Sequence, residues 1–468
     1  MWISILTISV TLWVAIVAVV IILQRRSAAA TLAWLFVLVF LPIIGLVVYR
    51  LIGPQRLTRK KLKRSLHRRV IGDAVAALAA LDESEEYLQL ASVAMALGES
   101  SPLRADDVTV YLDGASTYEA ILAAIAAAQH HVHLEYYIWA PDTIGTRLRD
   151  ALVERAKAGI EVRMVVDGTG SSKLSNEFFK PLRAAGVLIA KFHPLRLLRI
   201  GLSRPDFRTH RKIVVCDGVV GFTGGMNITD SHSAAYGPDY WRDTHVRITG
   251  AAVWPLQRLF IEDWYFATDV LCAVDARTFP PPTGAGKHLV QVVGSGPDSD
   301  AFAIHKLLFT AINQSTRRLW LTTPYFVPDE ALLTAIVTAG LRGVDVRLLV
   351  PKKGDSRIVD LAARSYFPEL LAARVRVFEY ESRFIHAKTL VCDDDVAIIG
   401  TANLDNRSFR LMFEVAAVVV GTPVNQTLAD AFEVDLEGSR ELAGNELEKQ
   451  SFRLRLGQAT ARLFSPLL

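Results

Sequence analysis

The chain has 468 residues, 51% of them hydrophobic, and a formal net charge of only +4. Such a length holds two or three domains, each with its own core, and so small a net charge does not argue for a nucleic-acid partner. The three cysteines, Cys216, Cys272 and Cys392, have neither a disulfide-framework spacing nor a zinc-ligand spacing, which places the folded part in a reducing compartment.

The apolar excess gathers at the N-terminus. Residues 1–24 carry no charge, Arg25 and Arg26 follow, and residues 27–49 are again uncharged. A membrane-crossing helix needs about 20 apolar residues, and each run supplies them. Residues 1–50 are expected to form a hydrophobic helical hairpin, with Pro42 and Gly45 allowing a re-entrant second arm in place of a full crossing. The competing reading is a cleaved signal peptide with Ala28, Ala29 and Ala30 at the processing site. Against it stand the length of the first run, the lack of a preceding positive charge and the second run that follows at once. Arg50, Arg56, Arg59, Lys60, Lys61, Lys63, Arg64, Arg68 and Arg69 come after the second run. Basic residues accumulate on the cytoplasmic side, so the expected protein is multi-pass in the cell membrane, with a cytoplasmic catalytic region and contacts to anionic lipid headgroups. Residues 51–105 read as this basic segment and a helical connector over 74–97.

From residue 106 onward strand-like and helix-like runs alternate, which is an α/β pattern. Strands are expected at 108–112, 131–139 and 162–167, with helices at 118–129 and 147–157. The run Thr278-Phe279-Pro280-Pro281-Pro282-Thr283-Gly284 can continue neither a helix nor a central strand. A linker is therefore placed at 278–288. Beyond it the order recurs, with strands at 290–293, 319–323 and 346–350 and helices at 302–313 and 330–339. Pro141-Asp142 matches Pro328-Asp329, and Gly159-Ile160-Glu161-Val162-Arg163 matches Gly343-Val344-Asp345-Val346-Arg347. The reading is two pseudo-symmetric α/β/α repeats, 106–277 and 289–440, sharing one active site, with a C-terminal amphipathic segment at 441–468.

Two segments carry the chemistry. His210-Arg211-Lys212 is followed by Asp217 and by Gly224-Gly225-Met226-Asn227; His386-Ala387-Lys388 is followed at the same offsets by Asp393 and by Gly400-Thr401-Ala402-Asn403. Strands send alternate side chains to opposite faces, so a histidine and a lysine two apart emerge together. Two such half-sites suit phosphodiester exchange without a metal or cofactor. One imidazole attacks phosphorus and holds it as a phosphohistidine, while the second protonates the departing alkoxide and then deprotonates the incoming alcohol. Lys212, Lys388, Asn227 and Asn403 supply donors for the transition-state oxygens. Each imidazole needs a carboxylate on its other nitrogen. Asp243 and Glu414, downstream of the two motifs, are the candidates. Asp217 and Asp393, at an odd offset from the histidine, read as structural.

These paired motifs resemble the HxKxxxxD signature of the phospholipase D superfamily over roughly residues 108–420, and that signature counts Asp217 and Asp393 in its catalytic set. With the hairpin, Tyr240-Trp241-Arg242-Asp243-Thr244-His245, Gly400-Thr401-Ala402-Asn403-Leu404-Asp405, Arg407-Ser408-Phe409 and the terminal Ser465-Pro466-Leu467-Leu468, the chain is similar to bacterial cardiolipin synthases. The resemblance implies transfer between two phosphatidylglycerol molecules to give cardiolipin and glycerol, with His210 as nucleophile and His386 as acid. Two positions depart from the family pattern, Thr209 before the first catalytic histidine and Met412 ahead of Glu414. A hydrolase, a transferase to another alcohol such as serine, and a related nuclease share the same core. A catalytically dead membrane scaffold would have lost a His, Lys or Asn from one repeat, and none is lost.

The group His130, His131 and His133 beside Glu135 raises a metal question, but no metal-binding spacing accompanies it. His133, Glu135 and Tyr137 alternate on one strand face, as pocket lining or ordinary packing. Cys216 and Cys392 sit at equivalent motif positions and read as small core residues.

Overall fold

The computed structural model describes residues 2–23, 28–41, 44–45, 49, 88–192, 207–282, 284, 286–299 and 301–468. The chain divides into an N-terminal unit, Met1–Leu57 with Leu195–Asp206, and a second unit holding the rest. In the first, helix α1 spans Trp2–Leu23 and α2 spans Ala28–Phe40. Side chains are described from Leu12 in α1 and from Thr31 in α2, and among the described residues no helix is long and apolar enough to cross a membrane. The expectation of two spanning arms rests on sequence. The basic run 50–69 and the first part of the 74–97 connector lie outside the described residues.

The second unit begins with α3 (Leu88–Ala96) and β1 (Leu103–Ala105). Then come β2 (Val108–Tyr111), α4 (Gly114–Ala127), β3 (His131–Tyr136), α5 (Thr143–Lys157), β4 (Glu161–Asp167), α6 (Asn176–Ala184), β5 (Leu188–Phe192), β6 (Arg208–Thr209), β7 (Ile213–Cys216), β8 (Val220–Gly224), β9 (His245–Thr249) and α7 (Trp254–Thr268). The sheet order is β2-β9-β8-β7-β3-β4-β5, antiparallel except for the parallel pairs β3-β4 and β4-β5. The alternation of β3 explains the layers. Val132, Leu134 and Tyr136 join a core with Ile121 and Ile125 of α4, Leu148 and Leu152 of α5 and Phe179 of α6. His131 and His133 point the other way, onto Gln257 of α7.

The second half supplies β10 (His288–Ser295), α8 (Ala303–Gln314), β11 (Arg318–Thr322), β12 (Phe326–Val327), α9 (Glu330–Leu341), β13 (Asp345–Pro351), α10 (Arg357–Arg364), α11 (Phe367–Ala372) and β14 (Arg376–Tyr380). It continues with β15 (Thr389–Cys392), β16 (Val396–Gly400), β17 (Leu404–Asp405), α12 (Asn406–Arg410), β18 (Met412–Val420), α13 (Thr422–Glu437) and β19 (Ser439–Glu441). Within its sheet the run β10-β18-β16-β15-β11-β13-β14 repeats the order of the first sheet, strand for strand and direction for direction. The duplication read from the motifs is therefore a duplication of topology. The paired Pro-Asp dipeptides have a local reason: Asp142 and Asp329 cap α5 and α9 by accepting the N–H of Gly145 and Leu332, satisfying donors the first helical turn leaves free.

Three expected boundaries look different in three dimensions. The connector does not stand apart, because β1 pairs with β10 and Leu90, Ala91 and Ala94 of α3 enter the second core. In the 278–288 linker, Phe279 is buried against Trp254, with ring centroids 6.5 Å apart. The end of the 441–468 segment packs on the second repeat: the Tyr366 hydroxyl meets Ser465 Oγ at 2.8 Å, and the Arg407 N–H donates to the Leu468 carbonyl at 3.1 Å.

Candidate active site

The His-x-Lys runs lead into β7 and β15, the matching strands at the middle of each sheet. Each run is docked on the opposite repeat. The His210 N–H donates to the Phe413 carbonyl at 2.8 Å, and the His386 N–H donates to the Arg242 carbonyl at 2.7 Å. Parallel pairing of β6 with β18, and of Arg242 with Ile385, extends both contacts. Phe413 and Arg242 are the residues just before the two candidate carboxylates.

The carboxylates consequently cross over. His210 Nδ1 stands 3.0 and 3.1 Å from the two oxygens of Glu414, and His386 Nδ1 stands 2.7 Å from Asp243 Oδ2. A carboxylate only accepts, so Nδ1 carries the proton in both rings and each Nε2 keeps its lone pair. Burial lowers the pKa of His210 against the pull of Glu414. Burial lowers that of His386 further, helped by the charges of Lys388, Lys212 and His210. Both shifts favour the neutral imidazole in the empty site, the form in which His210 attacks. The mutual influence of His210, Lys212, His386 and Lys388 makes one centre of the two half-sites. Burial raises the Glu414 carboxyl, but His210 and Lys212 outweigh it and hold it below its usual value.

Lys212 Nζ donates to the His210 carbonyl at 2.8 Å, and Lys388 Nζ donates likewise to the His386 carbonyl. Burial drives the Lys212 ammonium down to about 7 and that of Lys388 down to about 8. A lysine held below its unfolded pKa, about 10.4, costs stability wherever the unfolded chain binds the proton more tightly. For Lys212 that cost is complete below about pH 7 and fades as pH rises toward the unfolded value. Lys212→Met is expected to abolish transfer and to remove this pH-dependent cost, so its stability relative to the unmutated protein should be highest at or below about pH 7. Thermal melts from about pH 6 to about pH 10 should show the gap to the unmutated protein closing; a gap that does not change with pH contradicts this reading.

Both motif asparagines are buried. Asn227 Oδ1 accepts the Ile138 N–H at 3.2 Å, which leaves its amide NH2 as the donor, and Asn403 is buried with Oδ1 unpartnered. The motif aspartates are not brought to the centre. Asp217, at the far end of β7, accepts the backbone N–H groups of Gln129, His130 and His131, and Asp393 accepts those of Thr316, Arg317 and Arg318. Their inclusion in the catalytic set is corrected by this placement: they tie each motif strand to its neighbour. The β3 face divides. His131 and His133 bind Gln257, Glu135 accepts from the Thr209 hydroxyl, and Tyr137 alone reaches a catalytic ring, 5.1 Å from His210 between centroids. Thr209 thus serves a buried carboxylate next to the site.

Sequence reasoning missed four contributors. Thr401 Oγ1 donates to Glu414 Oε2, Trp241 and Phe384 wall His386 at centroid distances of 5.4 and 5.9 Å, and His232 lies 5.5 Å from it. Comparing the repeats offset by offset would have exposed His232 and Thr401, whose counterparts are Ser408 and Gly225. His232, Asp243 and His386 also have the spacing of a metal site, but a metal needs unprotonated nitrogens, and His386 Nδ1 is committed as a donor to Asp243.

A duplicated α/β/α fold with two His-x-Lys runs closing on one buried centre is the architecture of a phospholipase D-like phosphodiester-exchange protein. The family described as cardiolipin synthase, PLD-like domain, matches residues 121–264 and 308–436, and one described as phospholipase D-nuclease N-terminal matches residues 12–54. Cardiolipin synthase of Geobacillus kaustophilus is 40% identical over 97% of this chain and 92% of its own length. Cardiolipin synthase 1 of Bacillus cereus is 37% identical over 100% and 95%. The crystal structure of phosphatidylserine synthase from Haemophilus influenzae superposes with a TM-score of 0.60 at 15% identity, over 81% of this chain and 100% of that one, a likeness of fold alone. The chain belongs to the cardiolipin synthase family of phospholipase D-like proteins.

Proposed function

We propose that this protein is a phosphatidyltransferase that joins two phosphatidylglycerol molecules into cardiolipin and releases glycerol. The observation that carries the reading is the crossed pair of carboxylate–imidazole contacts, His210 with Glu414 and His386 with Asp243, which leaves two free Nε2 atoms at one centre with two buried lysines. His210 Nε2 attacks the phosphorus of the first lipid. A P–N bond forms, the P–O bond to the headgroup glycerol breaks, and the departing alkoxide takes its proton from His386 Nε2. His386 reaches the protonated state only with the phosphodiester bound, whose negative charge opposes the effect of burial and of the two lysines. In the second half, His386 takes the hydroxyl proton of the second phosphatidylglycerol. Its oxygen attacks phosphorus, the P–N bond breaks, and His210 is restored. Lys212, Lys388 and the amides of Asn227 and Asn403 stabilise the equatorial oxygens in both steps.

The two apolar runs at the N-terminus, residues 1–24 and 27–49, hold the enzyme in the cell membrane as a helical hairpin. The basic segment after them keeps the catalytic region on the cytoplasmic side, among anionic lipids. The test is direct. Purified full-length protein in detergent micelles, with labelled phosphatidylglycerol and a metal chelator, is expected to yield cardiolipin and glycerol in equal amounts. Phosphatidic acid as the sole product would replace the second lipid by water and refute the transferase reading.

A further inference from the structure

The repeats match position for position around their motifs, and one buried residue breaks the match without a part in the transfer steps. In repeat 2 the backbone N–H of Asn403 donates to Ser408 Oγ at 3.1 Å; in repeat 1 the backbone N–H of Asn227 donates to His232 Nε2 at 3.3 Å, and each acceptor stands five residues after its asparagine. A serine satisfies that amide. The imidazole has a second nitrogen to use. Burial holds the ring neutral, with its pKa down to about 3, and Nε2 accepts, so the single ring proton sits on Nδ1. That Nδ1 is buried with no hydrogen bond of ordinary geometry and stands 3.4 Å from Asp243 Oδ2, the oxygen that receives His386 Nδ1–H.

A second asymmetry explains why such a donor is needed. Two residues before its asparagine, repeat 2 has Thr401, whose hydroxyl donates to Glu414. Repeat 1 has Gly225 there, and a Cβ at that position would lie 2.0 Å from Asp243 Oδ1. The shorter carboxylate is seated against glycine, so no hydroxyl can reach it from that side.

We infer that His232 is a positioning residue for the Asp243–His386 pair: its Nδ1–H supplies to Asp243 the side-chain donor that Thr401 supplies to Glu414. The carboxylate is thereby fixed to hold His386 Nδ1–H and to aim Nε2 at phosphorus. Contacts of this kind are often long in an empty site and tighten around substrate.

The inference rests on the proposed transfer reaction, and the test separates the two. An asparagine amide can occupy the place of Nδ1, and a glutamine amide the place of Nε2. In full-length protein turning over phosphatidylglycerol in micelles, His232→Asn is expected to keep kcat within about 3-fold, whereas His232→Gln loses about 10- to 100-fold in kcat with KM nearly unchanged. In the Asp243→Asn background, His232→Gln should cost nothing further, because both changes act through one carboxylate. Equal losses for the Asn and Gln variants, full activity of the Gln variant, or losses that multiply in the double variant would overturn the inference while cardiolipin formation by the unmutated protein stands. If glutamine prevents folding, His232→Asn still decides, since a loss of 10-fold or more there contradicts a donor role. Failure of the unmutated protein to form cardiolipin counts against the transfer reaction instead.

Discussion

Replacing His210 with alanine is expected to lower cardiolipin formation by about 10^4-fold or more while leaving the fold intact. The ring is the one protein group that forms a bond to phosphorus in the proposed cycle. It also stands outside the two apolar cores that hold the repeats. Its loss leaves Glu414 buried without its principal cation-capable partner, so a modest fall in melting temperature should accompany the loss of turnover. His386→Ala should be comparably inactive on phosphatidylglycerol, whose glycerol leaving group needs a proton. The two variants part company on a phosphatidyl ester of p-nitrophenol. That leaving group departs without an acid, so His386→Ala should release one equivalent of p-nitrophenol as a burst, and His210→Ala none. A burst in the His210 variant would exchange the assigned roles.

The second large effect follows from the crossing of the carboxylates. Glu414→Gln and Asp243→Asn should each reduce turnover by about 10^3-fold, because an amide no longer fixes the Nδ1–H tautomer or stabilises the imidazolium. The crossing decides which step suffers. Glu414 follows the second motif in sequence but holds the histidine of the first, so Glu414→Gln should remove the p-nitrophenol burst. Asp243, which follows the first motif, holds His386, so Asp243→Asn should retain it. Pairing within each repeat would give the opposite pattern, and rapid-mixing absorbance measurements distinguish the two.

That crossing is also where sequence reading stopped. The opening strands and helices of each repeat were legible because the sheet strands are apolar and short and helices begin at capping aspartates such as Asp142 and Asp329. The His, Lys and Asn offsets were legible because both copies retain them. The odd offset of Asp217 and Asp393 placed them on the far side of the strand, and there they tie β7 and β15 to the adjoining chain through backbone donors. Two carboxylates at similar distances downstream cannot, by spacing alone, declare which imidazole each serves. Their partners are fixed by the docking of β6 on β18 and of Arg242 on Ile385, contacts between residues far apart in the chain. His232 was hidden for a related reason: it sits in a short turn, Asp230–His232, with no periodicity to mark it. The capture of α3 and β1 by the second core likewise depends on residues distant in sequence.

The most direct measurement is capture of the covalent intermediate. Full-length protein mixed with phosphatidylglycerol labelled in its phosphatidyl moiety, chelator present, is quenched at alkaline pH, where a P–N bond survives, and mapped by mass spectrometry. A phosphatidyl group on the peptide carrying His210, absent from the His210→Ala protein and discharged to cardiolipin when unlabelled phosphatidylglycerol is added before the quench, is the expected outcome. Turnover to cardiolipin with no labelled peptide, or with the label on any residue other than His210, would contradict the mechanism.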